Sequence, residues 1–304
     1  MPLREIILLV VVCFVWGGHM LVIRVTVADI PPLFYVATRL TLMVLILSPF
    51  LRWRPGEMLR VAAAGLFLAG LNYAFMFTGF QYATASAGSI AMELAPPFAT
   101  ILSVVFLKEQ VGWRRMAGVA LAFAGVALIA LNPSEAGVGF GVGLIALAAL
   151  SEATGSVLVK SIKRFRPIEL LAAFSVVGAG VNWTGTLLFE SGQWGSFAAR
   201  PVAFSLAIAY SIFLASIFGH TSYYWLLQRR PVSMISPSLL LTTVFAVLLG
   251  VLILGEPLTA AMIAGGLMTI LGVGIILLRS EPKSAATVAA GPEPHPSLRT
   301  ETSP

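Results

Sequence analysis

Charge is scarce in this 304-residue chain: Asp, Glu, Lys and Arg together make up 11% of it. Soluble domains carry about 25%. Hydrophobic residues make up 58% and the mean hydropathy is +0.94, so most of the chain has lipid rather than water as its solvent. Cysteine is scarcer still. Cys13 is the only one, which excludes a disulfide framework and a thiolate metal site. A Walker-type phosphate loop, an HExxH motif and an evident serine–histidine pair are also missing, so direct ATP use and enzymatic chemistry are not expected, nor is a cofactor or metal. Residues 6–23 run uncharged for 18 residues. That is longer than a signal-peptide core, and similar segments follow, so no cleavable leader is expected.

What is abundant is apolar helix. A bilayer core of about 30 Å is crossed by about 20 apolar helical residues, and the chain offers ten such stretches: 6–23, 33–51, 61–80, 85–107, 116–131, 138–159, 170–189, 202–227, 232–254 and 258–278. None alternates in polarity as a barrel strand does, which leaves an all-α integral membrane protein. Its net charge of +6 and pI near 9.8 raise the question of nucleic-acid binding, and the placement of the charge answers it. With the N-terminus inside, sixteen of the nineteen basic residues fall in six cytoplasmic segments. Arg24 and Arg200 are outside and Arg39 is within a span. This is a positive-inside pattern with both termini cytoplasmic, spread too widely to be a nucleic-acid patch. Residues 280–304 hold five prolines and few large apolar side chains, which predicts a disordered cytoplasmic tail.

A shift of 147 residues lays the chain on itself. Ser86 falls on Ser233, Ser89 on Ser236, Phe98 on Phe245, Gly118 on Gly265 and Gly125 on Gly272, and Leu107-Lys108-Glu109 falls on Leu254-Gly255-Glu256. Each unit, 1–131 and 138–279, then has five spans. An odd number forces the second unit to enter the membrane upside down. The charges agree: Arg114 and Arg115 correspond to Ala261 and Met262, whereas Tyr82 and Ala83 correspond to Arg229 and Arg230. Two inverted five-helix repeats are an architecture of secondary transporters.

Trp16-Gly17 followed by Arg24, Arg39 in the second span, Glu93-Leu94-Ala95-Pro96-Pro97, Leu107-Lys108-Glu109 and Leu254-Gly255-Glu256-Pro257-Leu258 together resemble the EamA-type members of the drug/metabolite transporter superfamily. The likeness runs over residues 6 to 279. It implies a ten-helix permease of the plasma or inner membrane, commonly an exporter of small metabolites or amino acids, with a central cavity between the halves. Two positions depart from the pattern. Thr242-Thr243 stands where the second half often has proline, and His19 stands where a smaller or amide residue is usual.

Candidate solute residues follow from the cost of polarity in lipid. Only Arg39, Glu93 and Glu152 carry formal charge within spans, and such residues mark a pathway or an internal pair. Ser86, Ser89, Glu93 and Thr100 share one helix face, with Pro96 and Pro97 interrupting the backbone just beyond. Glu93 is expected either to bind solute and carry a coupling proton, or to be structural, paired with Arg39 or protonated and hydrogen-bonded to a serine. Glu152 aligns with Trp16 and is expected either to face the cavity and take an ammonium group or to pack against a neighbouring helix through a hydrogen bond. His19 is a titratable candidate with an interhelical packing alternative. His220, Tyr223 and Tyr224 suggest an imidazole and aromatic wall for amphipathic or cationic solutes, with an interfacial belt as the alternative. Asn72 reads as interhelical glue, and the paired glycines as packing surfaces. The leading expectation is a small-molecule exporter working by alternating access. An anionic-solute exchanger is disfavoured by the single intramembrane arginine, and an intramembrane enzyme by the missing motifs. Oligomeric state is not legible.

Overall fold

The computed structural model describes residues 2–108, 110–132, 137–159, 161–227, 229–230 and 235–278. The expected tail at 280–304, together with Glu109 and Lys160, lies outside the described residues. Helices occupy all ten predicted spans: α1 (Leu3–Val27), α2 (Pro32–Phe50), α3 (Met58–Tyr82), α4 (Ala85–Phe106), α5 (Trp113–Ala130), α6 (Val138–Val159), α7 (Pro167–Phe189), α8 (Pro201–Tyr223), α9 (Leu240–Leu254) and α10 (Ala260–Leu278). Nine of these are long and apolar enough to cross a bilayer by themselves. The shorter α9 follows directly on a 3₁₀ turn, Ser236–Leu239. Large apolar side chains such as Leu187, Phe189, Leu252 and Leu271 are exposed on the outer surface, as they must be where the surroundings are hydrocarbon.

Local chemistry sets the helix ends. Pro32 and Pro167 open α2 and α7 at the first turn, where a missing N–H costs nothing. Glu169 accepts from the backbone N–H of Arg166, 2.9 Å away, and also pairs with Arg54. At the far end of α9, Gly255 adopts φ +67°, a left-handed stop that glycine takes without strain. Its repeat equivalent, Lys108, closes α4 in the same conformation at φ 52°. The duplication therefore preserves a backbone shape even where the glycine itself is absent.

Packing follows the repeat. α1 lies against α9 and α8, while α4 and α3 lie against α6; α2 packs on α7, and α5 on α10. Exchanging each helix with its equivalent five places along maps this set of pairs onto itself. That is the contact pattern of a two-fold relation between the halves, and it is how an inverted repeat appears in three dimensions. The α5–α10 pair shows why the glycines stand where they do. A Cβ on Gly118 would lie 2.7 Å from the carbonyl oxygen of Gly272, and one on Gly272 would lie 2.6 Å from the backbone nitrogen of Ala122. The backbones approach too closely for any side chain.

One further repeat feature was not legible in the sequence. α3 widens to π-helix at Leu66–Leu71, and α8 does so at Tyr210–His220. The 147-residue shift carries 66–71 onto 213–218, inside the second wide turn. Such bulges displace carbonyls from the i→i−4 ladder and recur at functional sites.

Candidate solute site between the halves

The site begins at a break in α4. Its first segment ends at Met92 and its second starts at Ala95, with Pro96 and Pro97 in the first turn. Proline lacks an N–H and its ring collides with the carbonyl four residues back, so the backbone at Glu93 and Leu94 tightens to i→i−3 bonds, onto Ile90 and Ala91 at 3.1 Å each. Glu93 sits in this gap, partly exposed. In the other half, the 3₁₀ turn Ser236–Leu239 stands just before the repeat equivalent, Leu240. The two broken helices meet: Thr243 Oγ1 donates to Glu93 Oε1 at 2.5 Å. One of the two family departures thus supplies the partner of the intramembrane carboxylate.

An aromatic wall joins α1 to α8. The Trp16 ring lies 5.2 Å from His220 and 5.6 Å from Tyr223, between centroids. Trp16 Nε1–H donates to the Ala215 carbonyl at 2.9 Å. His220 Nδ1 lies 3.2 Å from the same carbonyl and 3.1 Å from that of Ser216. Both carbonyls belong to the π-helical turn Tyr210–His220. The side chain of Tyr224 lies outside the described residues.

Behind the wall runs a buried polar chain. His19 Nε2 is 2.8 Å from Ser211 Oγ, which is 2.6 Å from the Tyr35 hydroxyl. Ser216 Oγ donates to the Ser211 carbonyl, five residues back. Arg39 Nη2 donates to Ser216 Oγ at 2.8 Å, and its guanidinium lies 5.0 Å over the Tyr73 ring. Tyr35 and Arg39, four apart on α2, share a face, and that spacing is the signal by which Tyr35 could have been found. Ser211 and Ser216, five apart, share a face only in a π-helix, so ordinary helical periodicity hides them.

Glu152 enters from α6. Its neighbours are locked to α3: Ser151 Oγ donates to the Phe67 carbonyl at 2.7 Å, and Asn72 Nδ2 donates to the Ala148 carbonyl at 2.8 Å. Asn72 is thus the interhelical glue expected of it. The Glu152 carboxylate, partly exposed, has no hydrogen-bond or ion-pair partner among the described residues. It is within electrostatic reach of Glu93.

Two expectations change. Ser86 and Ser89 do not extend the Glu93 stripe toward solute, being 0% and 2% exposed. Ser86 donates to the carboxylate of Glu256 and Ser89 to the Ser86 carbonyl, because the break in α4 separates their segment from the gap. Arg39 and Glu93 do not pair: among the described residues the ion pairs are Arg54–Glu169, Arg200–Asp29 and Arg230–Glu5. Arg39 instead joins the halves, through Tyr73 in its own and Ser216 in the other. Glu256, at a helix end, binds backbone. It accepts from the N–H groups of Ala85 and Ser86 at 2.6 and 2.9 Å, capping α4 across the repeat boundary.

Ten apolar helices in two exchangeable sets of five, closed around buried polar and charged side chains at broken and widened helices, define a multi-pass membrane transporter. The chain belongs to the EamA-like transporter family, whose model matches residues 3–131 and again 139–278. It is 28% identical over 281 residues to an "uncharacterized transporter" of Archaeoglobus fulgidus, covering 90% of this chain and 98% of that one. It is 28% identical over 207 residues to a "probable terminal-alkyne amino-acid exporter" of Streptantibioticus cattleyicolor, covering 66% and 67%. It is 26% identical over 300 residues to a "probable amino-acid metabolite efflux pump" of Salmonella typhimurium, covering 95% and 100%. Family membership places the chain among transporters and not enzymes.

Proposed function

We propose that this transporter exports amino acids or small amino-bearing metabolites by alternating access, without ATP. The carrying observations are the unpartnered carboxylate of Glu152, within electrostatic reach of Glu93, and the Trp16–His220–Tyr223 wall. A carboxylate held without a protein partner in a membrane interior is costly, and an ammonium group of a solute compensates it. The aromatic faces take the apolar part of the same solute. Two names among the relatives, an amino-acid metabolite efflux pump and an amino-acid exporter, support the substrate class.

The halves are the moving parts. Each broken helix lies where the two units meet, and Thr243 joins Glu93 across that junction, so rocking of one unit against the other makes or parts this bond. Glu93 then exchanges a proton or a solute ammonium as the bond parts. Both termini lie on the cytoplasmic side, following the distribution of Lys and Arg, in a plasma or inner membrane.

Counterflow tests the carrier mechanism. Proteoliposomes preloaded with unlabelled amino acid should transiently accumulate labelled amino acid above equilibrium, which a pore cannot do. In the same vesicles Glu93→Gln, which retains an acceptor for Thr243, should abolish the pH dependence of transport while folding persists. Unchanged pH dependence removes the coupling role.

A further inference from the structure

Arg39 is a buried cation that the protein leaves unfinished. Its residue is 4% exposed. Of the guanidinium nitrogens, Nη2 is used on Ser216, while Nε and Nη1 are buried with no hydrogen-bond partner. No carboxylate pairs with it among the described residues. The remaining neighbours are neutral or of like sign: the face of Tyr73, and His19 and His220 within electrostatic reach. Arginine stays protonated in any protein environment, and an uncompensated buried charge is among the most expensive features a fold can carry.

The free N–H groups are of the kind that recognises carboxylates. Each planar edge of a guanidinium, Nε with Nη2 or Nη1 with Nη2, presents parallel N–H groups that match two oxygens of one carboxylate, and the second N–H of Nη2 completes either edge with a free nitrogen. Ser216 and Tyr73 hold one N–H and one face of the guanidinium, so its plane is fixed before any anion arrives. The opposite deficiency packs on the same helix, α3. Glu152, an acid without a partner, is seated on α3 through Ser151 and Asn72, while Arg39 lies over Tyr73 of the same helix. Two opposite charges that could neutralise one another are not paired with each other.

We propose that Arg39 is the carboxylate subsite of the transporter, so that its substrates are zwitterions: carboxylate on Arg39, ammonium toward Glu152, side chain on the aromatic wall. This rests on the amino-acid export reading and narrows it. A cargo with only an amine satisfies half of the site, which separates amino acids from their decarboxylated amines.

The test is ligand-dependent thermal stabilisation of the purified full chain in detergent with three phenyl probes: L-phenylalanine, phenylacetate and phenethylamine. Wild type should be stabilised by the first two through Arg39. Arg39→Met, which keeps the length and removes the charge, should fold, lose at least tenfold in apparent affinity for both carboxylates, and bind phenethylamine unchanged. Retained carboxylate affinity, an equal loss for all three probes, or failure of Arg39→Met to fold would each overturn the proposal, the last two by making Arg39 a packing element. If phenylacetate stabilises wild type in an Arg39-dependent way and L-phenylalanine does nothing, the carboxylate subsite stands and the amino-acid reading falls. If neither carboxylate stabilises wild type, the subsite falls, while counterflow still decides the export reading.

Discussion

Removing the Glu256 carboxylate tests whether the second half holds the first at the start of α4. Glu256 follows the left-handed stop at Gly255 and reaches the start of α4, where it accepts three hydrogen bonds: Ala85 N–H, Ser86 N–H and Ser86 Oγ–H at 2.6, 2.9 and 2.5 Å. Ala85 and Ser86 are both fully buried, so Glu256→Ala leaves two backbone donors without water or protein to replace the acceptor. A buried orphan donor costs about 1–3 kcal/mol, and loss of an anion from a helix N-terminus adds about 0.5–1 kcal/mol. The sum is about 4 kcal/mol, or about 10 °C in unfolding midpoint for a chain of this size. Glu256→Gln keeps one oxygen but turns an amide toward a donor, and should cost about half as much. Ser86→Ala removes one donor together with its need, and should cost about 1 kcal/mol. Adding Ser86→Ala to Glu256→Ala should then cost less than the sum of the two, since both delete one bond. Thermal unfolding in detergent followed by tryptophan fluorescence reads all four variants. A midpoint for Glu256→Ala within 2 °C of wild type, a margin of less than about 1 kcal/mol, would refute the capping argument outright.

The remaining predictions address the interface, the wall and the topology. Gly125→Val should destabilise by about 1–3 kcal/mol through overpacking, because a Cβ there would lie 2.8 Å from the backbone nitrogen of Thr269 on α10; an unaltered unfolding midpoint would show that α5 and α10 are not so closely apposed. Trp16→Phe keeps a ring against His220 and Tyr223 but loses the bond to the Ala215 carbonyl. It should raise the KM for export several-fold with little change in folded yield, and an unchanged KM would take Trp16 out of the solute path. A fluorescent protein fused after Pro304 should fold and fluoresce in the cytoplasm, while alkaline phosphatase inserted between α7 and α8 should be active. The reverse pattern would overturn the orientation drawn from Lys and Arg.

The helices were legible because lipid imposes one rule on every span: twenty apolar residues with no free backbone. The repeat was legible because close packing demands glycine at matched positions, and Gly118, Gly125, Gly265 and Gly272 keep that record. The site was legible only in part. Charge in lipid is conspicuous in a sequence, so Arg39, Glu93 and Glu152 could be singled out, but their partners could not. Thr243 meets Glu93 through a contact 150 residues long. Ser211 joins Ser216 only because α8 is widened, and no sequence period announces a π-helix. Ser86 and Ser89 went the wrong way for a physical reason: their spacing matched a continuous helix, and Pro96 and Pro97 make α4 discontinuous at the residue where continuity mattered.

Scaffold and site obey the symmetry to different degrees. Everything that fixes how helices pack is shared between the halves: the glycine crossings of α5 and α10, the left-handed stops at Lys108 and Gly255, the breaks before Ala95 and Leu240, and the wide turns of α3 and α8. The residues facing the junction are not shared. Glu93 has Leu240 as its equivalent, Glu152 has Trp16, and His220 has Tyr73. Two halves of equivalent packing give two tilts of comparable energy, which alternating exposure requires, because a strong preference for one tilt would trap the carrier. A solute with distinct ends needs the opposite property, a pocket whose two sides differ. Duplication followed by divergence at a few buried positions meets both demands, since replacing Leu by Glu or Trp by Glu at the junction changes what is bound without altering how the helices cross. A direct consequence is that Leu240→Glu, which restores the charge symmetry opposite Glu93, should fold with little loss yet impair export. It places a second carboxylate beside the first, and the two then compete for Thr243 and for any cation at the break. Undiminished export by that variant would show that the asymmetry of the junction is incidental.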